Sequence, residues 1–161
     1  MTKVTHGPGL AIGVGVIGGL VAALAMNQFQ AVAAGAFGQK GRNDDPATVK
    51  AADTLAQATT GEPVTQKYRE TAGQAVHYVT GAALGGLYGA LAHWRPEASA
   101  GMGVPFGLAT MLVVDDVAVP AFGWGAWPQD TSAATHGYSA VSHAVFGVVL
   151  EGVRRWVLRL V

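Results

Sequence analysis

The sequence predicts an all-α, polytopic membrane protein: a four-transmembrane-helix bundle with an interfacial helix in its first loop. Composition is the first observation behind this. Half of the 161 residues are hydrophobic and only 12% are charged, against roughly a quarter charged in an average soluble domain, and mean hydropathy is +0.31. The second is distribution: four long runs almost lack Asp, Glu, Lys and Arg. Each is near or above the ~20 residues that cross a ~30 Å hydrocarbon core. A soluble protein built from such helices would have too little polar face. Residues 1–161 are therefore expected to form one transmembrane domain.

The first run, Gly7 to Gln39, has no charged residue, and a helix is expected over about 9–37. Lys3, the apolar stretch and Ala31-Val32-Ala33 resemble a signal peptide with its cleavage site, but the stretch is too long for one. A retained span is expected. Gly13-Val14-Gly15-Val16-Ile17-Gly18 spells a dinucleotide-binding pattern without the preceding strand or the acidic residue about 20 positions on that such a site needs. The glycines fit close helix packing instead, with Gly9/Gly13 and Gly15/Gly19 as small-xxx-small pairs.

Lys40 to Arg69 is the one sizeable hydrophilic segment. Asp45-Pro46 resembles an N-cap followed by N1, and Gly61 a C-terminal stop. Between them Ala47, Val49, Ala52, Leu55 and Ala56 make a weakly apolar stripe. A helix over about 46–60 follows, lying on the membrane surface or packed on the bundle. The second run, Thr71 to Trp94, predicts a helix over about 70–93. The third, Ala98 to Gln129, is broken only by Asp115-Asp116 and predicts a helix over about 100–119. The fourth, Thr131 to Leu150, predicts one over about 132–157. Trp94, Trp124, Trp127 and Trp156 fall near predicted helix ends, where an aromatic belt is expected. Glu151 and Arg154, one turn apart, are expected to form an ordinary helix-surface pair.

Ten Lys/Arg balance ten Asp/Glu, which excludes the cationic footprint of a nucleic-acid binder. Low charge with high apolar content excludes disorder. The absence of cysteine removes disulfides and thiolate sites. With four spans, Lys3, Arg95, Arg154, Arg155 and Arg159 lie on one side and Lys40, Arg42, Lys50, Lys67 and Arg69 on the other. The count ties. Arg154, Arg155 and Arg159 lie close to the end of the last span, which favours cytoplasmic termini.

Ionisable groups at membrane depth usually face the bundle interior and mark a site. At about 1.5 Å per residue, His77 lies about 10 Å into its helix, His136 and His143 about 6 and 17 Å into theirs, and Asp115 about 8 Å from the same face. Glu70, Gln74, His77, Gly81, Gly85 and Tyr88 follow one helical stripe. His136 and His143, seven residues apart, share a face with Ser139 between them. Asp115 and Asp116 point about 100° apart, so one at most is expected to aim at the centre. Pro120 disturbs the turn that carries them. His77, Asp115, Asp116, His136 and His143 are thus candidate ligands for a transition metal such as Zn or Fe. The same groups suit a proton or substrate relay, or a structural network that pins the helices. No E-x-x-H or H-E-x-x-H pattern is present. His93 is expected at the interface and His6 in water. No nucleophile lies in the arrangement that acyl transfer requires.

Pro46 to Asp53, Thr60-Gly61, Ala72 to Tyr78, Gly85 to Gly89, Gly107 to Pro120 and Ser142 to Gly147 together resemble the YagU-like bacterial inner-membrane proteins. The likeness spans roughly residues 10–155, with Asp116 where that family tends to show Glu. It implies a small multi-pass protein of the bacterial inner membrane and places His77, Asp115 and His143 on motif positions. Two roles follow as expectations: an intramembrane His/Asp cluster that binds a metal or relays protons, or a non-catalytic accessory subunit. The accessory subunit would pack through Gly-rich faces against a membrane-protein partner or a second copy. A lipid- or quinone-directed enzyme ranks behind both.

Overall fold

Pro8 opens the first helix, because its fixed φ suits the N1 position and its missing N–H has no partner to lose there. From it α1 runs Pro8–Ala33. The computed structural model describes residues 7–38 and 44–161; Lys3, His6, Lys40 and Arg42, given positions above, lie outside the described residues. The remaining helices are α2 (Ala47–Thr60), α3 (Arg69–Trp94), α4 (Val104–Val113), the short α5 (Val119–Ala121) and α6 (Ala133–Leu158). A π-helical turn, Val114–Ala118, joins α4 to α5. The described residues contain no strand, so the protein is all-helical.

Among the described residues, two helical stretches are long and apolar enough to cross a membrane, Pro8–Ala33 and Pro96–Ala121. The other two expected spans, α3 and α6, have the length, 26 residues each, but carry more polar side chains. Helix ends differ from expectation in two places. α1 stops at Ala33 and gives way to turns over 34–38. α4 starts at Val104 rather than near 100, because Gly101 (φ 66°), Met102 (φ 56°) and Gly103 (φ 77°) turn the chain left-handed just before it.

α1 lies between α3 and α6, and α6 in turn carries α4. Glycine sets the close approach at both crossings. A Cβ on Gly15 or Gly19 would collide with the carbonyl oxygens of Gly85 and Gly81 on α3, and one on Gly107 with the His143 carbonyl on α6. On α1, Gly18 faces Leu150 of α6, while Gly9 and Gly13 face open space. Most of the glycine surface expected to meet a partner is therefore used within the chain. The core joins Ala22, Ala23, Met26, Tyr88, Phe146 and Leu150.

α2 packs on α3. Val49 and Ala52 are buried, and a Cβ on Gly73 would come within 2.6 Å of Val49 Cγ2. Arg69 fixes the joint: it pairs with Asp45 at 2.8 Å and donates through both Nε and Nη2 to Asp53 Oδ2. The Asp53 carboxyl, hydrogen-bonded by the Arg69 guanidinium, is held below its usual range. Asp45 thus serves as an ion-pair partner and makes no N-cap; Pro46 occupies that position without a side-chain cap.

Candidate functional site

Pro120 has no N–H to offer the carbonyl of Asp116 four residues earlier. The ladder widens there into the π turn that carries Asp115 and Asp116. Both acids approach α6, but only Asp115 borders the central cleft, in line with their separation of about 100°. Asp115 Oδ2 accepts a 2.5 Å hydrogen bond from Ser139 Oγ and lies 3.8 Å from His143 Nδ1. Asp116 Oδ1 lies 3.9 Å from His136 Nδ1, beyond hydrogen-bond length.

His143 sits 3.0 Å by Nδ1 from the Ser139 carbonyl and 3.3 Å from Ser139 Oγ. A carbonyl only accepts, so Nδ1 carries a proton, and in the neutral ring Nε2 is the bare nitrogen. Nε2 has no partner among the described residues, and the side chain is only 8% exposed. Ser139, whose hydroxyl both donates and accepts, links Asp115 to His143 in one chain. Opposite, His77 Nε2 lies 3.2 Å from the Ala23 carbonyl oxygen. Asn27 of α1 donates to Gln74 of α3 at 2.8 Å.

These groups border one cleft of about 440 Å³. α1 and α6 supply its floor through Ala23, Met26 and Phe146. His77 and Asp115 lie on its α3 and π-turn walls, His143 lines it from α6, and α2 with Trp124 closes over it. Trp124 is held by a 2.9 Å hydrogen bond from its indole N–H to Thr54 Oγ1, so it ties α2 down as well as lying near a helix end.

The five candidate ligands accordingly divide. His77, Asp115 and His143 share the cleft. Asp116 and His136 pair outside it, with His136 Nε2 also 3.0 Å from the Pro128 carbonyl. Among the described residues, no three His, Cys, Asp or Glu side chains converge closely enough to hold a metal ion. The physical reason is local: Ser139 stands between Asp115 and His143, and His77 spends Nε2 on a backbone carbonyl.

Sequence reasoning missed two features. Asn27 and Gln30 reach the cleft from α1; the uncharged run concealed them because attention to ionisable residues passes over amides. Glu151 is 0% exposed, which corrects the expected surface pair. It accepts from Tyr88 Oη at 2.9 Å, from Arg154 at 2.6 and 2.9 Å, and from Arg155 at 2.5 Å. Tyr88, seen in the sequence only as the end of a stripe, was the available signal.

In comparisons with known proteins, the chain matches no family model, no curated protein and no solved structure.

Proposed function

We propose that the chain is a four-span membrane protein of the YagU-like kind, whose one-sided cleft handles protons through Asp115, Ser139 and His143. Large apolar side chains stand exposed along its long helices while several polar groups are buried, which supports the membrane reading. Thr110, Ser142, His143 and Glu151 are buried, while Val79, Leu87, Val113, Val117 and Val148 are exposed on α3, α4, the π turn and α6. Lipid solvates such side chains, and polar groups then turn inward. Spans at α1, α3, Pro96–Ala121 and α6 put the cleft mouth on the loop carrying α2 and both termini on the opposite face.

The observation that carries the proton reading is the hydrogen-bonded chain itself. A carboxylate and an imidazole with a bare Nε2 border a cleft of about 440 Å³, and the Ser139 hydroxyl links them from behind. Imidazole titrates near neutrality and a hydroxyl can pass a proton by rotating. Tyr88, Phe106 and Leu150 pack beyond Phe146 of the cleft floor, so passage across the bundle requires re-packing. The π turn, with its weakened ladder, is the element suited to that movement.

Full-length protein in liposomes loaded with a pH-sensitive dye tests this. Wild type is expected to dissipate an imposed pH gradient faster than empty vesicles. His143→Gln and Asp115→Asn are expected to slow it by about a hundredfold, the low end for losing a positioned proton carrier. Ser139→Ala should slow it less, and His136→Gln should leave it unchanged. Equal rates for wild type and His143→Gln would overturn the relay.

A further inference from the structure

We infer that the cleft binds a small organic cation, an ammonium group carried on an apolar body. The inference deepens the proton reading by naming a ligand class for the same cleft, and it rests on that reading only for the placement of Asp115 at an accessible depth.

Charge makes the case first. Among the described residues, the cleft is bordered by two carboxylates, Glu70 and Asp115, and by no Lys or Arg. Arg69, beside the mouth, is already neutralised by Asp45 and Asp53. Glu70 is exposed at the mouth and makes no ion pair among the described residues. Asp115 is 38% exposed, and its described partners engage only Oδ2. Among the described residues, the cleft therefore has an uncompensated negative charge at two depths, and a cation entering it meets no repelling group. An anion would meet both acids.

Shape and lining specify the rest of the ligand. About 440 Å³ lies within the range of small-molecule sites and exceeds what an inorganic ion needs. Met26, Leu84, Val119 and Phe146 give it apolar walls, with Trp124 at the lid. Phe122 stacks on Trp124 at 4.8 Å between ring centroids and holds that ring in place. Aromatic faces attract ammonium groups, most of all those too alkylated to be well hydrated. Asn27 and Gln74 are engaged with each other, and His143 Nε2 is a bare acceptor at the base, which favours a positive charge or a donor there.

The test uses the full chain purified in detergent and titrated with benzyltrimethylammonium. Comparison ligands are N,N-dimethylbenzamide, a neutral compound of similar size, and the benzylsulfonate anion; tryptophan fluorescence and calorimetry report binding. Saturable binding of the cation is expected, at least about tenfold tighter than that of either comparison compound. Asp115→Asn is expected to weaken it about tenfold and Glu70→Gln severalfold, with Asp130→Asn, outside the cleft, unchanged. Should Asp115→Asn not fold, Glu70→Gln at the exposed mouth decides the matter alone. Equal affinity for the neutral amide, absence of saturable binding, or wild-type affinity in Glu70→Gln overturns the proposal. Loss of cation binding with intact proton flux removes the ligand assignment alone. Intact cation binding with unchanged flux in His143→Gln removes the relay alone.

Discussion

Gly85→Ala is expected to lower the thermal stability of the detergent-solubilised protein sharply, while Gly13→Ala leaves it unchanged or raises it. Both glycines are helical and the added methyl is the same. Their surroundings differ. At Gly85 the new Cβ would run into the Gly15 carbonyl oxygen and come within 2.7 Å of Gly19 Cα, both backbone atoms that cannot rotate away. α1 and α3 must separate to admit it, and every contact along the crossing loosens together. Overpacking of this kind costs about 1–3 kcal/mol and more where backbone is displaced. Gly13 has nothing within 4 Å of its would-be Cβ, so only backbone entropy changes, and in a helix that favours alanine by up to about 1 kcal/mol. Thermal unfolding followed by circular dichroism measures the difference. Coincident melting curves for Gly85→Ala and wild type would show that α1 and α3 do not meet at these glycines.

The second large effect belongs to Glu151. Its carboxylate is wholly buried and holds two arginines and a tyrosine hydroxyl. Arg155 also reaches the Ser99 carbonyl at 3.2 Å, which ties the segment before α4 to the end of α6. Removing the acid leaves Arg154, only 15% exposed, without a counter-charge. Breaking one partner out of a buried pair costs about 3–5 kcal/mol. Glu151→Ala is therefore expected to lose that much stability, with Tyr88→Phe losing about 0.5–1.5 kcal/mol for one neutral donor. Denaturant or thermal unfolding of the three proteins decides it. A Glu151→Ala loss below that of Tyr88→Phe would return the pair to the solvated surface where its i,i+3 spacing first placed it.

Glu151 also illustrates what the sequence could and could not disclose. Helix positions were legible because long uncharged runs and Gly61 mark them, and Gly61 ends α2 at φ 83°; the cap of α6, Ser132 accepting from the Thr135 N–H at 3.2 Å, went unread. The stripe from Gln74 to Tyr88 was legible for the same reason, since 3.6-residue spacing fixes which side chains share a face; His77, Gly81 and Gly85 all meet α1. Of the five residues that depth counting grouped, His77, Asp115 and His143 line one cleft. What it lacked was azimuth. Rotation of one helix about its axis relative to another is set by tertiary packing, so His136 and Asp116 could share the depth and still pair outside. The π turn added a further rotation that a regular helical count does not contain. Burial of Glu151 was hidden because the same spacing serves exposed and buried pairs alike, and only Tyr88 arriving from α3 distinguishes them.

The central claim is a cleft within a membrane-spanning bundle, open to one face only. The sequence contains no cysteine, so single cysteines can be introduced without a background. Thr48→Cys and Thr80→Cys, both lining the cleft, and Val161→Cys at the chain end would be labelled by a membrane-impermeant maleimide in sealed vesicles of each orientation. Four spans and a one-sided cleft predict that Thr48→Cys and Thr80→Cys react from one face and Val161→Cys from the other. Reaction of all three from the same face, or of Thr80→Cys from the face that exposes Val161→Cys, would contradict it.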